Sequence, residues 1–334
     1  MKILILTIQT DQYKPVNNFY VPRSLIELGH EVTLGDVDTL MMFDNVIHVK
    51  AGIFTGGVIG DRHVAMEVVT SCEDFDLIWI LDYAHPSRER EFFQILWVLE
   101  RRVPFVNRPS SMFFLNNKIG VLGLEASKHF APTNLLLNQE IVSDIVAREP
   151  GSTWVLKPAN SGCGIDVYMI KESDPNCGSL IQSATGNIYQ KYEMYTREGW
   201  GRAEKYTILQ KFIPGMQERE NRVIIAGGKI VGGYKKTATG NEFRGNITTG
   251  GALGALNISP EARELCVEIG RELATYGIHY AGIDVAYPFI VEYNLVNPGG
   301  IGRQIDATGE DIGIAACEAA VGAAMQSARP AMSL

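Results

Sequence analysis

Cysteine is scarce and scattered. The five residues Cys72, Cys163, Cys177, Cys266 and Cys317 are odd in number and include no C-x-x-C pair, so neither a disulfide framework nor a zinc site is expected and a reducing, cytoplasmic setting follows. Long apolar runs are also missing. Residues 1–8 form one short apolar stretch carrying a lysine, and nothing longer comes after it, so neither a signal peptide nor a membrane span is expected. Basic charge is in deficit: 30 Lys and Arg against 38 Asp and Glu leave a net charge of −8, which disfavours a nucleic-acid surface and favours a small-molecule substrate. Two phosphate signatures are absent as well. Without G-x-x-x-x-G-K-[ST] there is no Walker A loop, and without G-x-G-x-x-G the opening βαβ pattern is a poor candidate for a dinucleotide fold.

What is present suits a globular chain with more than one core. With 334 residues and 46% apolar side chains, two or three lobes are expected, and about three quarters of the unfolded surface would be buried. Residues 2–8 read as a strand buried on both faces, 19–29 as a helix with Pro22 in its first turn and Gly29 as its stop, and 31–37 as a second strand. Residues 76–81 (DLIWIL) predict another buried strand, followed by a helix over 87–102 and a short strand over 104–107. Helical patterns at 116–127 and 139–148 then lead to a strand at 153–157 and a glycine-containing turn. From residue 207 onward hairpin neighbours imply an antiparallel sheet, with strands at 221–226 and 229–235 flanking Gly227-Gly228. A helix over 260–276, strands over 281–287 and 289–294, and an Ala-rich helix after Thr308 complete the chain. The polar, Tyr-rich stretch 189–206 reads as a surface excursion. These patterns divide the chain into an N-terminal α/β lobe (1–115), a central lobe (116–205) and a C-terminal lobe (206–330).

Three segments carry chemistry. In GIDVAYPFIVEYN, Glu292 and Asn294 are two apart on a strand and share a face, and Asp284 lies on the adjoining strand across Tyr287-Pro288. Two carboxylates and an amide suit a hard cation such as Mg²⁺, and the apolar neighbours of Asp284 and Glu292 make unpaired carboxylates costly there. The alternative is a polar outer face of a hairpin. In WVLKPANSGCGID, a strand ends at Lys157 before a turn holding Gly162 and Gly164, where backbone N–H groups and a fixed lysine can meet phosphate oxygens; taken alone, it is only a turn. In KKTATGNEFRGNITTGG, four glycines and the cations Lys235, Lys236 and Arg244 suit a flap closing over anionic reactants, against the plainer reading of a solvated loop. Cys163 has no histidine near it in sequence and reads as loop filling, and His85 as a loop residue.

Taken in order, these motifs resemble the bacterial glutathione synthetase branch of the ATP-grasp superfamily. VNRPSSMFFLNNK is similar to V-N-x-P-x-S…N-E-K, VLKPANSGCG to L-K-P-x-x-G-x-G-G, KESDPNCG to K-E-x-D-P-N-x-G, RGNITTGG to R-G-N-x-x-x-G-G, and VEYNLVNPGG to E-x-N-x-x-S-P. The resemblance runs from about residue 107 to 305. It departs from the family in the first lobe, where DYAHPSRER stands in place of D-P-P-F-D, and at Asn117 and Asn297. The resemblance implies a mixed α/β, three-lobed ATP-grasp fold with an open parallel N-terminal sheet, and an ADP-forming carboxylate–amine ligase that works through an acyl phosphate. The substrates it implies first are γ-glutamylcysteine and glycine; a peptide or amide ligase of specialised metabolism is the alternative, and a non-catalytic ATP-binding regulator a remote third. It implies ATP contacts from Lys118, Lys157, Gly162, Gly164 and Lys236, an adenine-side hinge at Gln210, Lys211, Phe212 and Ile213, and Glu220 near the ribose. Arg222, Arg244 and Asn246 would act on the transferred phosphoryl or acyl phosphate. Asp284, Glu292 and Asn294 would hold magnesium, two ions, with manganese able to substitute. Small-molecule carboxylate and amine substrates and a homo-oligomer, dimer or tetramer, complete what it implies.

Overall fold

Four residues in succession, Ile3 to Leu6, are fully buried, as a strand covered on both faces must be. They form the centre of β1 (Lys2–Thr7) in a computed structural model that describes residues 1–160, 164–186, 205–216, 218–237 and 252–328. Next come α1 (Asn17–Glu27), β2 (Glu31–Asp36), β3 (Met41–Phe43), β4 (Val46–Phe54), β5 (Val68–Ser71), β6 (Leu77–Ile80), α2 (Glu89–Leu99), β7 (Phe105–Val106) and α3 (Pro109–Leu115). The first sheet has the order β3-β4-β2-β1-β6-β7, with β5 also paired to β4. Its β2-β1-β6-β7 half is parallel, as expected; β3, β4 and β5 add an antiparallel extension that the sequence reading did not contain. α1 starts two residues earlier than the sequence suggested. The Val16 carbonyl accepts from the N–H groups of Phe19 and Tyr20, which places Pro22 inside the helix instead of in its first turn.

The predicted helix over 116–127 is instead two short 3₁₀ turns, at Gly120–Gly123 and Glu125–His129. Asn117 Oδ1 accepts from the N–H groups of Ile119 and Gly120, both at 2.8 Å, so a side chain takes bonds a helix would have used. A second sheet follows, built from β8 (Thr133–Leu136), β9 (Thr153–Pro158), β10 (Tyr168–Lys171) and β11 (Thr207–Lys211), with α4 (Gln139–Arg148) and α5 (Cys177–Thr185) on it. Its order is β10-β9-β11-β8, antiparallel throughout. Asn138 caps α4 by accepting from Glu140 and Ile141. Val142, Val146, Trp154, Leu156, Ile170, Ile181 and Leu209 form a core of its own.

The third sheet has the order β14-β13-β12-β15-β16, from β12 (Asn221–Ala226), β13 (Lys229–Thr237), β14 (Ala252–Ala255), β15 (Tyr280–Ala286) and β16 (Phe289–Asn294). Gly227 and Gly228, with φ of +55° and +75°, make the tight turn between β12 and β13 that their pairing predicts. The helices here are α6 (Pro260–Thr275), capped by Ser259, then α7 (Ile301–Thr308) and α8 (Gly313–Ser327). Val223, Ile225, Ile283 and Val285 share a core with Leu265, Cys266 and Ile269 of α6. Ile224, Ala226 and Tyr280 belong to another core, together with Ala316 and Ala320 of α8 and Ile3, Ile5 and Trp79 of the first sheet. The first and third sheets are therefore welded through common cores, whereas the second packs mainly on itself. Cys72, Cys177, Cys266 and Cys317 are buried free thiols, and none of the described helices is long and apolar enough to cross a membrane.

One buried amide locks the weld. Asn107 Nδ2 donates to the carbonyls of Tyr280 and Leu295 at 2.6 and 2.7 Å, and its Oδ1 accepts from the N–H groups of His279 and Tyr280 at 2.6 and 2.8 Å. Asn107→Ala strands four buried backbone groups at once. It should lower the stability to urea unfolding by roughly 3 kcal/mol or more, and an unchanged unfolding midpoint would contradict this role.

Candidate active site

The third sheet carries a charged patch on the face opposite α6. Residues directly across from one another in antiparallel strands share a face, and the register places Arg222 opposite Asp284 and Asp284 opposite Glu292. Asn294, two residues on from Glu292, points the same way, and on the other side Arg222 faces Tyr234, two residues before Lys236. The three oxygen ligands read from the sequence therefore lie on one face of two adjacent strands.

Asp284 is 1% exposed, and a bare carboxylate there would be prohibitive. Arg222 grips it with a two-pronged contact, Nε to Oδ1 and Nη2 to Oδ2 at 2.7 Å, and Lys236 Nζ adds a third contact to Oδ2 at 2.9 Å. Lys236 also holds Glu220 Oε1 at 2.6 Å. Desolvation pushes the Asp284 carboxyl up, but Arg222 and Lys236 together outweigh it and leave the group below the ordinary carboxylate range. Glu220 shows the reverse balance: its desolvation exceeds the pull of Lys236, and its carboxyl is raised. For Lys236, desolvation works against the charged form, and Asp284 and Glu220 overcome it.

In front of this patch lies a cleft of about 970 Å³, which brings together Lys118, Lys157, Gln210, Glu292 and Asn294. Lys118 Nζ is 3.2 Å from Glu292 Oε1. Lys157 Nζ donates to Gln210 Oε1 at 2.9 Å, and Gln210 Nε2 donates to Thr133 Oγ1 at 2.7 Å, which fixes the amide's orientation. Desolvation drops the Lys157 ammonium to about 8; Glu292 and Glu220 oppose the fall and Lys118 adds to it. A lysine so weakly held in its charged form is a ready receptor for a phosphate.

The hinge residues divide. Gln210 lines the cleft, but the Lys211 side chain turns away from it, bound to Glu149 and to Ser152 Oγ and lying 4.7 Å over the Trp154 ring. That follows from strand alternation, since 210 and 211 point to opposite faces of β11. A hinge contact from Lys211 would therefore come from its backbone. The Phe212 N–H donates to the Thr153 carbonyl, and the Ile213 carbonyl accepts from Met216. Glu220, Lys236 and Arg222 lie behind the cleft in the ion-pair array and are absent from its lining. Gly164 adopts φ +71°, a left-handed conformation suited to a turn between β9 and β10. Gly162, Cys163, Arg244, Asn246, most of the 189–206 excursion and most of the 235–251 flap lie outside the described residues.

Two residues of the cleft carried no sequence argument of their own. Asn116 Nδ2 donates to the Tyr83 hydroxyl while its Oδ1 accepts from the Leu295 N–H at 2.9 Å, so it joins the segment after β6 to the one after β16. Asn116 stands in the N-N-K motif and was readable as a motif member; nothing in the sequence marked Tyr83. Among the described residues no three His, Cys, Asp or Glu side chains gather into a metal cluster. The candidate donors are instead two carboxylates and one amide, an all-oxygen set that fits a hard cation, with their negative charge now balanced by Arg222, Lys236 and Lys118.

Comparison with known proteins places this geometry. Residues 117–309, more than half of the chain, match the family model described as prokaryotic glutathione synthetase, ATP-grasp domain. The chain belongs to the prokaryotic glutathione synthetase ATP-grasp family. It is an ATP-dependent, ADP-forming carboxylate–amine ligase of glutathione synthetase type. It is 27% identical over 294 residues to a glutathione synthetase of a Nostoc species, covering 84% of each chain, and 28% identical over 218 residues to one from Rhodopseudomonas palustris, covering 64% of each. A RiPP-associated ATP-grasp ligase from Chryseobacterium gregarium, solved with ADP and a leader and core peptide, superposes with a TM-score of 0.62 at 16% identity, covering 96% of both chains, which is a likeness of fold. The family model begins at residue 117, so the first lobe lies outside it.

The lowered Lys157 ammonium gives this ligase a pH signature. Its protonated form attracts phosphate and is present below about 8. ATP affinity of the substrate-free protein should therefore weaken as pH rises from 7 to 9, by up to about tenfold per pH unit above the midpoint. In Lys157→Arg the fall should vanish over that window; a wild-type profile flat from 7 to 9 would contradict a phosphate contact from Lys157.

Proposed function

We propose that this ligase joins the carboxylate of γ-glutamylcysteine, or of a closely similar amino-acid-derived acid, to the amine of glycine or a similar small amine. In this reading a substrate carboxylate oxygen attacks the γ-phosphorus of ATP, ADP leaves, and the amine displaces phosphate from the resulting acyl phosphate through a tetrahedral intermediate. The amine's proton passes to solvent, and the products are an amide, ADP and phosphate. The observation that carries it is the row Arg222–Asp284–Glu292 on one sheet face, with Lys118 paired to its Glu292 end and Lys157 lining the same cleft.

Each residue has a role in that scheme. Lys118 and Lys157 bind and neutralise ATP phosphates, and Gln210 holds the Lys157 ammonium in place. Arg222, behind the cleft lining, would lend its charge to the transferred phosphoryl group, with Arg244 and Asn246 of the flap as its partners. Glu220 and Lys236 steady the array, while Gly162 and Gly164 let the backbone approach phosphate. Phe212 and Ile213 shape the adenine side. Asp284, Glu292 and Asn294 would hold one or two Mg²⁺ ions, or Mn²⁺, which would supply charge neutralisation to the triphosphate. Catalysis is then positioning and electrostatics, with no covalent enzyme intermediate. The lobes 1–115, 116–205 and 206–330, a homo-oligomeric state and a cytoplasmic location complete the proposal; the four buried free thiols support the last.

The relatives named glutathione synthetase favour γ-glutamylcysteine and glycine, and the segment DYAHPSRER, outside the span of the family model, keeps a specialised peptide or amide ligase as the second reading. A panel of acid and amine pairs assayed for ADP release separates them: turnover with γ-glutamylcysteine and glycine supports the first, and turnover only with another pair supports the second. Asp284→Asn and Glu292→Gln should each lower ADP formation by roughly a hundredfold or more. Full activity in either variant would remove the metal assignment.

A further inference from the structure

At the carboxyl ends of β1 and β6 the parallel sheet changes direction, since β1 leads to β2 on one side and pairs with β6 on the other. Ligands of open α/β sheets bind in such crevices. This end of the sheet carries a carboxylate, Asp82, with an unusual set of partners. Asp82 Oδ2 accepts three hydrogen bonds, from the Ile8 N–H at 2.9 Å, Thr7 Oγ1 at 2.8 Å and Asn18 Nδ2 at 2.6 Å. Oδ1 receives none from any described residue. All three donors are neutral, and among the described residues no Lys, Arg or His forms an ion pair with Asp82. Burial raises its carboxyl above the ordinary range in spite of the three donors, as befits an anion placed without a counter-charge.

The cluster is wired to the phosphate side of the cleft. Asn18 Oδ1 accepts from Asn297 Nδ2 at 2.7 Å, and the next residue, Pro298, offers its carbonyl to Arg222 Nη1. One short segment, 297–298, thus lies between the Asp82 cluster and the Arg222–Asp284 pair. A substrate whose reacting carboxylate lies in the cleft in front of Arg222 could set a second group beside Asp82. The open oxygen of a part-buried anion calls for a hydrogen-bonding cation, and the compact one that amino-acid chemistry supplies is an ammonium.

We propose that Asp82, oriented by Thr7, Asn18 and Asn297, recognises a free, protonated amino group on the carboxylate donor. The amine it reads is not the reacting one, because a protonated nitrogen has no lone pair with which to attack an acyl phosphate. Asp82 is therefore a specificity residue, and the donor is an amino acid or peptide with an unblocked amine. The inference rests on the ligase reading above and adds the identity of a recognition handle.

The experiment compares γ-glutamylcysteine and a small panel of dipeptides with their N-acetyl forms, each with glycine as acceptor, in wild-type protein and in Asp82→Asn. Wild type should prefer the free-amine form in kcat/KM by roughly tenfold to a hundredfold, and Asp82→Asn should lose that preference mainly through KM of the donor while KM for ATP stays within about twofold. Calorimetric titration of the same compounds into wild-type protein gives a second reading that needs neither turnover nor a folded variant, with the same preference expected in Kd. Equal use or equal binding of the two forms, binding of neither, or a preference that survives in Asp82→Asn overturns the proposal. Failure of the ligase reading looks different: no ADP release with any acid and amine pair, whatever the state of the amine.

Discussion

Buried charge on the third sheet is the constraint to which the rest of this molecule answers. Lys118, Lys157, Arg222 and Lys236 face Glu220, Asp284 and Glu292 across a few side-chain lengths, and cations outnumber carboxylates by one. Such an array is costly in a low-dielectric interior unless its geometry is held tightly, and replacement by apolar residues of similar volume would often be neutral or stabilising. A polyanionic ligand would complete the balance. ATP meets that need, and divalent cations on Asp284 and Glu292 would raise the positive charge to match a triphosphate.

The architecture supplies the rigidity. The first and third sheets share two cores, and the four hydrogen bonds of Asn107 tie the end of β7 to the start of β15 and to the segment beyond β16. β15 and β16 are therefore fixed relative to the parallel sheet, and Asp284 and Glu292 inherit that precision. The second sheet, with a core of its own, brings Lys157 and Gln210 to the cleft. This division suits a ligase that must admit ATP from one side and two further reactants from another.

Much of this was legible in the sequence because period and punctuation agreed with the tertiary outcome. The all-apolar run of β1, the Gly227-Gly228 turn and the one-face spacing of Glu292 and Asn294 are local signals that the fold respects. The 3₁₀ turns after Asn117 show the opposite case, where an amide side chain captured backbone N–H groups and ended a helix that hydrophobic spacing alone suggested. The β3–β4 hairpin turns on Asp44 and Asn45, both at positive φ, and no strong alternation in the sequence around them marks its strands. The pairing of Arg222 and Lys236 with Asp284, and the partners of Asp82, depend on contacts between distant residues and leave no mark in local sequence.

A ligase of this build must seat a nucleotide and divalent cations beside those strands. Diffraction from crystals grown with Mn²⁺ and ADP, measured at the manganese absorption edge, tests it directly. The expected result is anomalous density bounded by Asp284, Glu292 and Asn294 with ADP phosphates beside Lys118 and Lys157. Bound ADP with no anomalous density at those three residues, or manganese gathered elsewhere in the molecule, would contradict it.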